Sequence, residues 1–312
     1  MTEFGQFVII GLVAGSVYAL IAIGYTMVYG IIELINFAHG DLFMLGSFFA
    51  LQTAIWLGAA PIPGAPAAFA APSTGLSILA IAAMLVAAPI FCAALNVAVD
   101  RFVYKPVRHA PKLTAIVSAI GVSFLFMNAG LFWRGATDVN FPNLVNNDNL
   151  AGGGLRITWQ DLMVLGVTVP TMIALSAFVR HTTLGKAMRA TAQNPTAAAL
   201  MGIHVDRVIA ATFAIGGALA GIASVVYGLY FNTVGYQMGF QNGVYAFTAA
   251  VLGGIGNIPG AVLGGIAIGL VRSLGSKYVG ETWSEALIFA ILVVILIFRP
   301  NGLLGTRTRE KV

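Results

Sequence analysis

Long apolar stretches without charge alternate along this chain with short segments that hold the charged residues. No charged residue lies between Glu3 and Glu33, between Asp41 and Asp100, or from Val208 to Val271. A helix needs about 20 apolar residues to cross the bilayer core, so the two longer stretches each have room for more than one span. The pattern predicts about eight to ten spans, and our division places nine near residues 5–29, 36–57, 76–99, 113–132, 162–179, 208–230, 240–256, 260–277 and 284–299.

Composition supports a membrane protein. The chain is 59% hydrophobic and 9% charged, whereas soluble domains carry about 25% charged residues. Only helices and closed barrels span membranes, and these apolar runs are too long for barrel strands. We therefore expect an all-α, polytopic fold that forms a single domain over residues 1–312. The lone cysteine, Cys92, excludes an internal disulfide and a cysteine metal cluster.

Lysine and arginine in short loops predict the orientation, because such loops usually lie in the cytoplasm. The segments 100–112 and 180–207 and the tail from residue 299 are rich in basic residues, so we predict all three, and the C-terminus, to be cytoplasmic. The segment 133–161 balances its two arginines with three aspartates and is predicted to lie outside. Basic residues that sit in short loops between apolar runs do not indicate a nucleic-acid partner.

Glycines also recur at a spacing of four residues, which allows helix backbones to approach closely. Tight helix packing is the simpler interpretation, and a helix that slides during gating is the alternative. The pairs and triplet are Gly11/Gly15, Gly217/Gly221, Gly256/Gly260/Gly264 and Gly265/Gly269.

Three segments contain residues suited to transport. The first, residues 33–41, has two carboxylates, a histidine and an amide between apolar runs. Polar groups at membrane depth usually face a cavity or a partner, so we consider Asn36, Phe37, His39 and Asp41 as a pathway lining, against a solvated interfacial turn. If the segment is helical, Asn36, His39 and Gly40 share one face.

The second segment, residues 181–207, predicts two short helices. Asn194 is placed to cap the second helix, with Pro195 at its first position and Gly202 after its end. This segment is either a passive connector or a docking helix that inserts into a groove on a partner.

The third segment is a glycine-rich break near residues 252–260. Broken helices at membrane depth are tolerated where they are buried in protein or line a cavity, and their free backbone groups can bind a substrate. The candidates here are Thr248, Gly253, Gly254, Gly256 and Asn257, with simple packing as the alternative. The flanking helices are predicted as two short spans or a re-entrant pair.

Enzyme motifs are absent from the sequence. It contains no H-E-x-x-H, no G-x-S-x-G and no phosphate-binding loop, and its four histidines lack metal-ligand spacing. We therefore expect neither catalysis nor a metal site. If the protein transports against a gradient, its energy source lies on another chain.

Several motifs in order resemble the LivH-type permeases of branched-chain amino acid ABC importers. The resemblance runs from about residue 5 to 305, and the matching segments are residues 18–32 (YALIAIGYTMVYGII), 35–41 (INFAHGD), 100–108 (DRFVYKPVR), 201–210 (MGIHVDRVIA), 246–260 (AFTAAVLGGIGNIPG) and 300–305 (PNGLLG).

This resemblance implies the transmembrane-domain fold of an ABC importer in the bacterial inner membrane, with membrane lipid around it. It implies a heterodimer with a second, related permease, two cytoplasmic ATP-binding subunits and a periplasmic amino-acid-binding protein. ATP and magnesium would bind the partner subunits and no cofactor this chain. The coupling motif maps onto Ala197, Ala198, Ala199, Leu200, Met201 and Gly202.

Alternatives remain at this point. Permeases of the same family for urea, short amides or a broader amino-acid set share the scaffold, and no residue in the sequence decides selectivity. A stand-alone channel or secondary transporter is a different class, which the scarcity of intramembrane carboxylates disfavours.

Overall fold

The computed structural model of the chain describes residues 2–32, 34–61, 72–108, 110–151, 154–299 and 302–305. Every one of the nine predicted spans is a helix, which confirms the all-α, polytopic prediction. Glu33 and the basic tail residues Arg307, Arg309 and Lys311 lie outside the described residues. The long helices are α1 (Thr2–Ile32), α2 (Ala38–Trp56), α3 (Thr74–Val99), α5 (Lys112–Arg134), α6 (Trp159–His181), α9 (Val205–Phe231), α10 (Met238–Gly253), α11 (Ile258–Tyr278) and α12 (Glu281–Phe298).

Shorter elements complete the described chain. A π-helical turn (Asp100–Tyr104) and α4 (Lys105–Val107) extend α3. The helices α7 (Thr183–Gln193) and α8 (Pro195–Leu200) form the segment before α9. In the segment predicted to lie outside, β1 (Val139–Asn140) pairs antiparallel with β2 (Thr233–Val234), which follows α9.

Seven helices in the described part of the chain are long and apolar enough to cross a membrane. The other two of the nine are α2, whose first turn contains His39 and Asp41, and α10, which has 16 residues. The glycine-rich break therefore separates the short helix α10 from α11, which has 21 residues. Both α2 and α10 are largely buried by the surrounding helices. The surrounding protein therefore shields the polar first turn of α2 and the short helix α10.

The helix α1 is the centre of the bundle, and α11 packs antiparallel along it through glycines. A Cβ atom on Gly15 would lie 2.8 Å from the Cα of Ile266, and one on Gly265 would lie 2.5 Å from the Cα of Ala19. Real Cβ atoms do not approach a backbone so closely, so only glycine permits this contact. The packing interpretation of the glycine spacing is thus confirmed for these helices.

The helices α3 and α9 form a second antiparallel pair of the same kind. A Cβ on Gly217 would lie 2.9 Å from the Cα of Ala93, and one on Gly221 would lie 2.5 Å from the Cα of Pro89. Pro89 lies inside α3, and neighbouring helices make such a proline tolerable in a membrane.

Candidate transport pathway and coupling segment

The irregular residues between α1 and α2 are fixed by buried amides. Asn36 donates from Nδ2 to Asn96 Oδ1 at 3.1 Å, and Asn96 donates from Nδ2 to the carbonyl of Phe213 at 2.7 Å. The Tyr104 hydroxyl lies 3.2 Å from Asn36 Oδ1 and 3.3 Å from the carbonyl of Ile35. Asn36 therefore anchors the entry of α2 to α3 and α9, in the interior of the bundle.

His39 is also interior. Its side chain is fully buried, and its ring packs edge-to-face on Tyr25 with centroids 4.7 Å apart. Neither ring nitrogen has a hydrogen-bond partner among the described residues. Because α2 begins only at Ala38, the helical face that the spacing predicted for Asn36, His39 and Gly40 does not form. His39 contacts α1, whereas Gly40 contacts α10.

A cavity of about 440 Å³ lies between α5 and α10, with α1 and the entry of α2 behind it. Its wall is almost entirely apolar, and Phe37 is the one predicted pathway residue that belongs to it. Hydroxyls of Tyr25 and Ser123 are its polar side-chain groups. The lining residues are Tyr25, Phe37, Ile120, Ser123, Phe124, Met127, Gly239, Phe240, Gly243, Val244 and Phe247.

Asp41 lies directly behind this wall. Its side chain accepts a hydrogen bond on Oδ2 from the hydroxyl of Ser123, and the residue is 1% exposed. The other oxygen, Oδ1, has no partner within the described part of the chain and faces Gly239. The carboxylate is thus separated from the cavity by two residues that line it, Ser123 and Gly239.

Three aromatic rings close one end of the cavity. The ring of Phe247 lies 6.3 Å from that of Tyr25 and 6.1 Å from that of Phe37, measured between centroids. Tyr25 and Phe247 also line a second, much smaller recess with Tyr29 and Ile255. Tyr25 and Phe247 therefore lie between the two spaces.

The glycine-rich break connects α10 to α11 and includes the residue that caps α11. Asn257 caps α11, since its Oδ1 accepts from the amide of Gly260 at 3.2 Å, and its Nδ2 donates to the carbonyl of Leu304 at 2.7 Å. Gly254 and Gly256 have φ values of +103° and +91°, which favour glycine.

The remaining residues of this segment pack within protein. Gly253 lies against the backbone of Gly260, and its carbonyl accepts from the amide of Leu304 at 3.0 Å. Thr248 is buried and donates to the carbonyl of Val244 at 2.8 Å. None of the five predicted residues in this segment lines the described cavity, so the packing alternative accounts for their contacts.

The segment 181–207 folds as predicted, into two short helices. Asn194 caps α8 by accepting from the amide of Ala197 at 3.0 Å, Pro195 is its first residue, and Gly202 follows with a φ of +84°. Leu200 and Met201 are each 84% exposed. Ala197 and Ala199 are exposed as well, and Ala198 is buried. The end of α8 therefore presents an apolar tip.

Sequence reasoning missed a charged residue inside α11. Arg272 donates to the hydroxyl of Tyr18 and lies 5.1 Å from the ring centroid of Tyr245, whose hydroxyl donates to Glu285 at 2.7 Å. A charged residue within a predicted span was the available signal, because ionisable residues inside a membrane usually pair with other groups and mark functional sites. Ser123 carried no comparable signal, since only the tertiary fold brings it to Asp41.

The helical bundle, the cavity and the exposed α8 define a multi-pass membrane permease. The chain belongs to the family described as "branched-chain amino acid transport system / permease component", which matches residues 7–296. It is 40% identical to the high-affinity branched-chain amino acid transport system permease protein LivH of Salmonella typhimurium, over 97% of this chain and 96% of the relative. LivH of Escherichia coli K12 is also 40% identical with the same coverage. The relative BraD of Pseudomonas aeruginosa, named as the same kind of permease, is 38% identical, again with the same coverage. No solved structure matches the chain.

Proposed function

We propose that this chain is a permease subunit of an ATP-driven, binding-protein-dependent importer for branched-chain amino acids. The observation that carries the substrate class is the apolar cavity between α5 and α10. Ligand sites are typically apolar with a few placed polar groups. Here aromatic and aliphatic side chains suit a branched apolar side chain. The Ser123 hydroxyl donates its proton to Asp41, so its oxygen can accept a hydrogen bond from an ammonium group.

The same cavity disfavours the alternative substrates. Urea and short amides are bound through several hydrogen bonds, and buried polar groups left unpaired are costly. The cavity wall offers only the hydroxyls of Tyr25 and Ser123 among its described side chains. The apolar wall suits the branched side chain of an amino acid, which urea and short amides lack.

Partner subunits would complete the pathway. Side chains at the rim of the cavity, Ile120, Phe124 and Phe240, are exposed, and a second, related permease would cover them. Two ATP-binding subunits would receive the tip of α8 in the cytoplasm and hold the ATP and magnesium. A periplasmic binding protein would deliver the amino acid at the other side of the bacterial inner membrane. The C-terminus is cytoplasmic in this arrangement.

Uptake by the reconstituted complex tests this proposal. Liposomes would hold this chain with the second permease and both ATP-binding subunits, and the binding protein would be added on the other side. We expect labelled leucine to accumulate only with ATP and the binding protein present. Urea, a short amide and glutamine serve as competing substrates. Accumulation of urea in preference to leucine would refute the substrate class, and uptake without ATP would indicate a channel or secondary transporter.

A further inference from the structure

Four charged side chains join the end of α4 to the start of α9. Arg108 donates from Nη1 to Asp206 Oδ1 at 2.6 Å and from Nη2 to Asp100 Oδ1 at 2.8 Å. Lys105 Nζ lies 2.8 Å from Asp206 Oδ2. The side chains of Arg108 and Asp100 are 18% and 5% exposed. Removing the cation from a buried carboxylate is strongly unfavourable, so Asp100 fixes Arg108 at the end of α4. From there Arg108 reaches Asp206 of α9, whose side chain is 57% exposed.

The Asp206 end of this network is attached to α8 by a short, hydrogen-bonded connection. Asp206 is the second residue of α9. Between α8 and α9, the amide of Gly202 donates to the carbonyl of Ala199 at 3.0 Å, and the amide of Ile203 donates to that of Ala198, also at 3.0 Å. Because this connection is short and hydrogen-bonded, a displacement of α8 is expected to move Asp206 with it.

The Asp100 end of the network leads to the cavity. Asp100 begins the π-helical turn, and Tyr104 ends it; such turns often occur at functional sites. The Tyr104 hydroxyl contacts Asn36 and the carbonyl before it. The next residue, Phe37, lines the cavity and lies beside Phe247. Each step from Arg108 to this ring is a direct contact or one helical turn.

We propose that Arg108 is a positioning residue that transmits movement of α8 to the aromatic wall of the cavity. Asp206 receives the movement from α8, and the π-helical turn and Tyr104 pass it to Asn36 and Phe37. The inference rests on the proposed function, because ATP-binding subunits must move α8. A chain of contacts transmits only if it is energetically coupled, and that coupling can be measured.

The experiment compares leucine uptake with ATP hydrolysis in the liposomes described above, using the full complex. Arg108→Gln should hydrolyse ATP near the wild-type rate but import at least about fivefold less leucine per ATP, the lower end of measured coupling between sites. Tyr104→Phe removes one oxygen at the far end of the network and should lower the same ratio. Arg101→Gln is the control, since Arg101 lies in the same turn, is exposed and makes no ion pair among the described residues.

A double-mutant cycle decides whether the contact itself matters. If Arg108 and Asp206 act through one ion pair, the double variant Arg108→Gln with Asp206→Asn should import at least as much leucine per ATP as the more impaired of the two single variants. Effects that multiply would overturn the proposal. So would an unchanged ratio in Tyr104→Phe, which also decides the matter if Arg108→Gln does not assemble. A wild-type complex without ATP-dependent uptake would instead refute the proposed function.

Discussion

Replacing Leu200 by serine is expected to weaken the attachment of the ATP-binding subunits. Leu200 and the neighbouring Met201 are each 84% exposed at the tip of α8, so almost the whole side chain is available for burial by a partner. Fully burying a leucine contributes about 1.5–3 kcal/mol. A loss of about 2 kcal/mol corresponds to a dissociation constant that is about 30-fold higher.

The assay is a titration of a labelled ATP-binding subunit onto the permease pair in lipid nanodiscs. Leu200→Ser and Met201→Ser should each raise the dissociation constant without changing the amount of permease in the membrane. Leu150→Ser is the matched control, because Leu150 is an exposed leucine in the loop predicted to lie outside. Wild-type affinity in both tip variants would refute the docking role of α8.

The structure also explains why other residues of this segment give a less direct test. Gly202 has open space around a would-be Cβ atom but a φ of +84°, so any larger residue strains the backbone whether or not a partner is present. Ala198 is 4% exposed, and Ala198→Asp would bury a carboxylate. Both changes should uncouple transport, yet each also perturbs α8 itself.

Two further predictions concern the helix packing and the ring of Phe247. Gly265→Leu should prevent accumulation of the folded chain, because its Cβ would meet Ala19 and overpacking costs about 1–3 kcal/mol or more. The control, Gly166→Leu, should accumulate normally, since no atom lies within 4 Å of a Cβ at that position. Equal amounts of the two variants on a membrane immunoblot would contradict the packing argument. Phe247→Ala should raise leakage of leucine through the complex without ATP, because the ring lies between the cavity and the smaller recess. The control is Phe289→Ala, at an exposed position. A leak equal to that of Phe289→Ala would exclude Phe247 as a gate.

The helices of this fold were predictable because their signal is local. An apolar run long enough to cross the bilayer has few alternatives to a helix, and each predicted span is indeed one. The cap of α8 was predictable for the same reason, since Asn194, Pro195 and Gly202 act within a few residues of the helix they delimit.

The pathway was predicted less well because polarity alone does not say which way a side chain faces. Asn36 and His39 are polar residues within the membrane-embedded bundle, as expected of a lining, yet their side chains anchor α2 or pack on α1. Phe37, an apolar residue between them, is the one that lines the cavity. The pathway role of Asn36 and His39 thus remains a prediction. Of the four predicted residues in this segment, Phe37 and Asp41 lie nearest the cavity.

The membrane environment, the helical class, the order of the helices and the family can all be inferred from the sequence. These follow from residue type and spacing along one chain, where hydrophobic length and glycine periodicity act directly. Three features emerge only from the packed helices: α5 and α10 enclose a cavity, Ser123 contacts Asp41, and Arg108 joins α4 to α9. Those contacts join residues that are distant in sequence, and their partners are chosen by how whole helices pack.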